Sequence, residues 1–162
     1  MKLTLNREYA TRHLFVTVLM VGLCGWFGYD GFVRYPATPA ADLYRSIEGK
    51  DAPMECDLDA FKAQKTQTQY GFTFLAGLAA IIVGAGLWKA RKFEFEFDDD
   101  GFAVGGKRFA YSDIKEVERS KWEKKGIIRI KGALLDVTLD AWHHVGVKEF
   151  VAKIGEKAQT RT

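Results

Sequence analysis

Hydrophobic and polar positions change rhythm twice along this chain. Two uncharged apolar stretches come first, Leu14 to Tyr29 and Tyr70 to Trp88. The second, YGFTFLAGLAAIIVGAGLW, would rise about 28 Å as a helix, close to the roughly 30 Å hydrocarbon thickness of a bilayer. The first is interrupted by Asp30, but Gly31, Phe32 and Val33 carry its apolar character into the interface, where one acidic residue near a helix end is tolerated. The pattern predicts transmembrane helices over 13–33 and 70–90. From Phe93 the period becomes two: Phe93, Phe95 and Phe97 alternate with Glu94, Glu96 and Asp98, as in a half-buried strand. Near the end it turns helical, with Val147, Phe150, Val151 and Ile154 at i, i+3, i+4 and i+7.

Turn chemistry divides the region after the second span into short antiparallel strands. Asp98-Asp99-Asp100-Gly101 and Gly105-Gly106 bracket Phe102-Ala103-Val104, and Lys107 to Tyr111 follows. A fourth strand is expected over Ile114 to Trp122, with a bulge because Ile114 and Val117 differ in parity. Gly126 to Lys131 and Ala133 to Asp140 form a further hairpin around Gly132. The result is a small α+β domain over 91–157, closed by the terminal helix, with 158–162 as a tail. For roughly 65 residues its core is small, so moderate stability is expected without the anchor.

The connector, 34–69, holds all three prolines, Pro36, Pro39 and Pro53, and reads as turns around short helices rather than a domain. Thr38-Pro39 predicts a helix start ahead of Leu43, Tyr44 and Ile47, and Asp57 a cap for a helix running through Leu58 and Phe61 into the second span. Trp26, Tyr29, Phe32, Tyr35 and Tyr70 are expected in an interfacial aromatic belt.

Charge sets the orientation. Lys2, Arg7 and Arg12 in the 1–12 segment precede the first span, and Lys89, Arg91 and Lys92 follow the second. Cations resist translocation, so both termini are expected in the cytoplasm and the chain in the cytoplasmic (inner) membrane as a multi-pass protein. The basic start also imitates a secretory signal, but no small-x-small site follows, and Leu23 stands before Cys24 where lipoprotein cleavage wants a small residue; an uncleaved signal anchor is the reading. Cys24 in a span and Cys56 in the connector are too differently placed to pair, though Cys56 could bridge two chains. Ala76, Ala80 and Gly84 share one helical face of the second span, and Cys24 and Gly28 repeat the spacing in the first. Such stripes let helices approach, either within the hairpin or onto a partner.

Six strands and a terminal helix in this order, with the phrases FEFDDDGFAVGGKRFAYSDI, KWEKKGI and LDAW, resemble the bacterial pleckstrin-homology-like domains that follow a transmembrane hairpin. The resemblance implies an antiparallel β-barrel or sandwich of about six to seven strands with a C-terminal capping helix, used as a binding scaffold without chemistry. It also implies a place to look for phosphoinositides, the first hairpin, but there this chain carries Glu94, Glu96, Asp98, Asp99 and Asp100, which repel phosphate.

No residue pattern calls for catalysis, a metal or a cofactor. His143-His144 stand near Asp136 and Asp140, but adjacent helical residues diverge by about 100°, so the pair is read as first-turn surface residues beside a buried Trp142. The aspartate run lacks the later ligands of a calcium loop, and Gly105-Gly106-Lys107 lacks the glycine spacing of a phosphate loop. The surface feature that remains is basic: Lys121, Lys124, Lys125, Arg129 and Lys131, a candidate membrane or partner surface. A net charge of +3 without aromatic interleaving argues against nucleic acid. The expected function is a non-enzymatic membrane-anchored scaffold whose partners are the bilayer, a protein or membrane complex, and anionic headgroups. The alternative is an accessory structural subunit of a larger membrane complex, docking through Ala76, Ala80 and Gly84.

Overall fold

The computed structural model describes residues 1–159, so the last three residues of the expected tail lie outside the described residues, while Ala158 and Gln159 end the terminal helix. The chain divides into two compact units. One is His13–Ala85; the other joins Met1–Arg12 to the residues from Gly86 onward.

The first unit is a helical hairpin. Helix α1 (Arg7–Tyr29) runs through a π-helical turn (Asp30–Arg34) and a last turn, α2 (Tyr35–Ala37). After α3 (Ala40–Glu48), helix α4 (Leu58–Lys92) continues without a break. At 31 and 35 residues the two long helices are long and apolar enough to span a membrane, and they exceed the expected 13–33 and 70–90 at both ends. Their outward faces carry Leu14, Phe15, Val18, Leu19, Leu75, Ile81 and Ile82 in the open, where a water-soluble helix would place polar residues. The connector follows the sequence: α3 begins after Pro39 and buries Leu43 and Tyr44, and the Asp57 carboxylate caps α4 by accepting from Ala60 N–H at 3.0 Å.

The π-turn is a feature the hydrophobic pattern does not disclose. Pro36 would press its ring on the carbonyl four residues back, and that carbonyl belongs to Phe32, inside the widened turn. The turn buries Asp30, whose carboxylate lies 3.4 Å from the Arg34 guanidinium. Tyr35, expected in the aromatic belt, is buried, and its hydroxyl accepts from Gln69 Nε2 at 3.2 Å; Trp26, Tyr29 and Phe32 are exposed as expected.

The second unit carries eight short antiparallel strands: β1 (Thr4–Leu5), β2 (Phe95–Phe97), β3 (Gly101–Val104), β4 (Lys107–Ala110), β5 (Ile114–Glu118), β6 (Ile127–Gly132), β7 (Asp136–Asp140) and β8 (His144–Val145). They form two meanders, β2-β3-β4 and β5-β6-β7, and a pair, β1-β8. The expected small antiparallel α+β domain is present, but its strands form three small sheets and no closed barrel among the described residues. A helix of four residues, α5 (Trp122–Lys125), links β5 to β6, and α6 (Val147–Gln159) closes the core. Phe95, Phe102, Ile128, Ile130, Leu139, Val147 and Phe150 are fully buried, with Phe150 edge-on to Phe95 and Phe102.

Turn residues explain the meanders. Gly105 and Gly106 both have positive φ, 55° and 80°, the geometry a two-residue hairpin needs to match strand twist. Asp98 shapes the preceding turn, its Oδ1 accepting from Asp100 N–H and Gly101 N–H at 3.0 Å. A Cβ at Gly101 would strike the Phe109 carbonyl, so β3 and β4 need glycine there. The parity conflict in β5 appears as a register shift between Ile114 and Glu116 opposite β6.

Residues 1–5, read from the sequence as a basic flank, are part of this β unit. Leu3 N–H donates to Phe95 O at 2.9 Å and Phe97 N–H to Met1 O at 2.7 Å, while Thr4 and Leu5 pair with Val145 and His144. Lys2 bridges Glu96 on the same edge, and Leu3 is buried in the core. One strand thus crosses the edge of β2 and continues onto β8.

Candidate functional site

The basic cluster separates into two kinds of residue. Arg129 and Lys131 project from β6 into cross-strand pairs: Arg129 binds Asp136 on β7 through two hydrogen bonds, 2.8 and 2.6 Å, and Lys131 reaches Glu116 at 3.2 Å and Glu118 at 3.9 Å. The shared hydrogen bonds hold the Arg129 guanidinium above, and the Asp136 carboxyl below, their ordinary pKa values. These two cations are engaged in holding the sheet together. Lys121, Lys124 and Lys125 remain exposed, with no carboxylate partner among the described residues. Here the expected strand gives way to α5, because Gly126 adopts a left-handed φ of 67° and ends the turn, its N–H donating to Trp122 O at 2.8 Å. Trp122 packs against the core and roots the turn, leaving three ammonium groups on one protrusion.

The acidic first hairpin is likewise a structural device. Arg108 on β4 grips both Asp98 oxygens at 2.8 and 2.7 Å, and with the Asp100 N–H it holds the Asp98 carboxyl down at about 2. Asp99 reaches across to Lys153 on α6 at 2.5 Å, a hydrogen bond that also lowers its pKa. Tyr111 donates its hydroxyl to Asp98 O at 2.8 Å; burial, then the nearby aspartates, push its phenol up to about 12.

The histidine pair is placed differently from the sequence expectation. His144 is buried on β8 rather than on a helix surface, and Trp142 is the exposed partner. His144 Nε2 lies 3.0 Å from the Ala90 carbonyl; a carbonyl only accepts, so Nε2 carries the proton. It is a second donor to a carbonyl at the end of α4, which the Phe93 N–H reaches at 3.4 Å. Trp142 stacks beneath the Arg12 guanidinium at 5.5 Å and meets Tyr9 edge-on at 6.4 Å, and His143 packs on Tyr9 at 4.4 Å. The two imidazoles thus serve different neighbours, and no group of three or more metal-ligating side chains occurs among the described residues.

Around these residues lies a cleft of about 540 Å³ that the sequence did not signal. Tyr9 of α1, Gly86, Lys89 and Ala90 of α4, and Phe93 line one side; Ile127, Val137, Thr138, Asp140 and the two histidines line the other. Its walls come from three segments well separated in sequence, around Tyr9, around Gly86 to Phe93, and from Ile127 to His144, which no local pattern could join.

In the hairpin, the small-residue face is occupied from within. Ala76 and Ala80 are buried, a Cβ on Gly84 would sit 3.5 Å from Thr17 Cγ2, and one on Gly77 3.4 Å from Cys24 Sγ. Cys24 also donates its thiol to Thr73 O at 3.5 Å, and Phe27 packs on Phe72. Ala76, Ala80 and Gly84 therefore lie along the packing seam of the two helices. Cys24 and Cys56 are both free thiols.

No family model, no curated protein and no solved structure matches the chain.

Proposed function

We propose that this chain is a non-enzymatic, membrane-anchored binding module, in which a two-helix hairpin in the cytoplasmic membrane holds a pleckstrin-homology-like domain at the cytoplasmic face. One observation carries the reading. Residues before the first long helix and residues after the second hydrogen-bond into a single β unit, so if both helices cross, both ends emerge on one side. The basic flanks, Arg7 and Arg12 on one side and Lys89, Arg91 and Lys92 on the other, favour the cytoplasmic side for that unit. Two antiparallel meanders followed by a terminal helix suit an opened form of the pleckstrin-homology-like architecture.

The binding surface in this reading is the protrusion bearing Lys121, Lys124 and Lys125, the members of the basic cluster that no carboxylate among the described residues neutralises. Each cation near anionic headgroups contributes about 1 kcal/mol, so three give a preference of roughly a hundredfold. Arg129 and Lys131 drop out of the surface because their charges are spent on Asp136 and Glu116. The competing role, an accessory subunit docking through Ala76, Ala80 and Gly84, loses its motivation because that seam is filled by the chain's own first helix.

Two measurements test the proposal. A single cysteine at position 124, in a chain with Cys24 and Cys56 replaced by Ser, should resist an impermeant maleimide in intact cells and react after lysis. Purified chain should crosslink to an acidic partner or to anionic lipid, and K121E/K124E/K125E should abolish this while R129E, which breaks a cross-strand pair, should not do so selectively. Labelling of position 124 in intact cells, or crosslinking indifferent to the triple substitution, refutes the reading.

A further inference from the structure

The 540 Å³ cleft falls within the range of small-ligand sites, and its position argues for where such a ligand comes from. We propose that it holds the headgroup of a phosphatidylethanolamine molecule from the leaflet that the hairpin enters; the proposal rests on the membrane reading above. Gly86, Lys89 and Ala90 belong to the last turns of α4, where charge returns after the uncharged run 66–88. That return marks the depth of lipid headgroups, so the cleft opens where a lipid already resides.

The lining fits a zwitterion with a protonated amine. Lys89 has no carboxylate partner among the described residues and supplies a cation for a phosphodiester. Asp140 is the acceptor for the amine: its Oδ1 takes the Trp142 N–H at 2.8 Å and its Oδ2 faces the His143 Nε2 at 3.7 Å, an ion pair when the imidazole is protonated, which leaves further acceptor positions on the carboxylate for an ammonium group. Asp136, also in the lining, is already bound twice by Arg129. Phe93, Ile127 and Val137 provide an apolar wall for the glycerol end. A choline headgroup lacks N–H donors for Asp140, and a glycerol headgroup lacks the cation. The chemistry therefore selects a primary ammonium attached to a phosphodiester.

The test uses the full chain in phosphatidylcholine nanodiscs doped with phosphatidylethanolamine or phosphatidylglycerol, with retained lipid read by native mass spectrometry after detergent release. Phosphatidylethanolamine should be retained about tenfold over either competitor. Asp140→Asn, which keeps an oxygen for the Trp142 N–H, should reduce that ratio toward one. Gly86→Leu should do the same by filling the cleft, since a Cβ there meets nothing within 4 Å. Equal retention of the three lipids, or a preference untouched by Gly86→Leu, overturns the assignment. Displacement by equimolar water-soluble glycerophosphoethanolamine also overturns it as a lipid site. A chain that enters the discs without the preference refutes the cleft alone; one that fails to enter them refutes the membrane reading.

Discussion

Truncating Leu3 to alanine tests whether the first residues are a strand of the β unit or a flank of the first helix. Leu3 is 3% exposed, packed within the same cluster as Phe95, Ile128 and Val147, and a Cβ built on Gly146 would come within 2.9 Å of its Cδ2. The substitution removes three buried carbons at about 0.8 kcal/mol each, near 2.5 kcal/mol in transfer terms, and a cavity adds to that where the strand cannot collapse. We expect a loss of about 3 kcal/mol, which in a domain of this size lowers Tm by roughly 12–24 °C. The assay is thermal unfolding of the full chain in detergent followed by near-ultraviolet circular dichroism, with Trp26 and Trp88 of the long helices replaced by Phe so that Trp122 and Trp142 report on the β unit. Thr4→Ala is the control: its side chain is exposed and its strand pairing runs through the backbone, so it should stay within about 0.5 kcal/mol of the parent. If Leu3→Ala behaves like Thr4→Ala, the strand does not belong to the core, and the argument that both ends share one face falls with it.

Two further outcomes follow from the pairings. Because the folded pKa of Asp98 is depressed to about 2, its contribution to stability is present above the ordinary aspartate value near 3.8 and is lost as pH falls from there through about 2; Tm should drop over that window, and Asp98→Asn should shrink the drop. An acid transition of the same size in Asp98→Asn would show that the Arg108 pair is not its source. In the hairpin, Thr17→Cys with Gly84→Cys, in a chain whose native cysteines are serine, should oxidise to an intrachain bridge that migrates as a monomer; a disulfide-linked dimer would instead place the seam between chains.

What the sequence disclosed follows from the range of each signal. Local signals were legible: the alternation of Phe95 and Phe97, the positive-φ turn at Gly105-Gly106, the parity break at Ile114, the Asp57 cap and the Val147/Phe150/Val151/Ile154 stripe all reappear. What failed were residues whose role is set by a distant partner. Met1 to Leu5 alternate over too few positions to stand out as a strand, and their partners lie on β2 and β8. His144 looked like a surface residue because its carbonyl partner, Ala90, is 54 positions away. The lysine cluster was legible in composition, but its division into paired and unpaired cations depended on β5-β6-β7 register, which places Glu116 beside Lys131 and Asp136 opposite Lys131 with Arg129 diagonal to it. The Asp30 turn was hidden because a π-turn has no periodicity of its own over five residues.

The strand at the start of the chain has a consequence for how the β unit forms. Pairing Leu3 with Phe95 closes a loop of more than 90 residues, a contact whose entropic cost grows with the logarithm of loop length and slows folding. The hairpin changes that problem. Thr17 and Gly84 lie in contact across its seam, so once the two helices have packed, the free chain between the seam and the strand on either side is only about a dozen residues, much of it helical. Closure then costs little more than the search of two short tethers. Packing of α1 on α4 therefore lowers the cost of closing β1 onto β2 and β8. The edge of the β unit, with Leu3 in its core, is thus finished by residues that precede the first long helix, and helix packing shortens the search that brings them there.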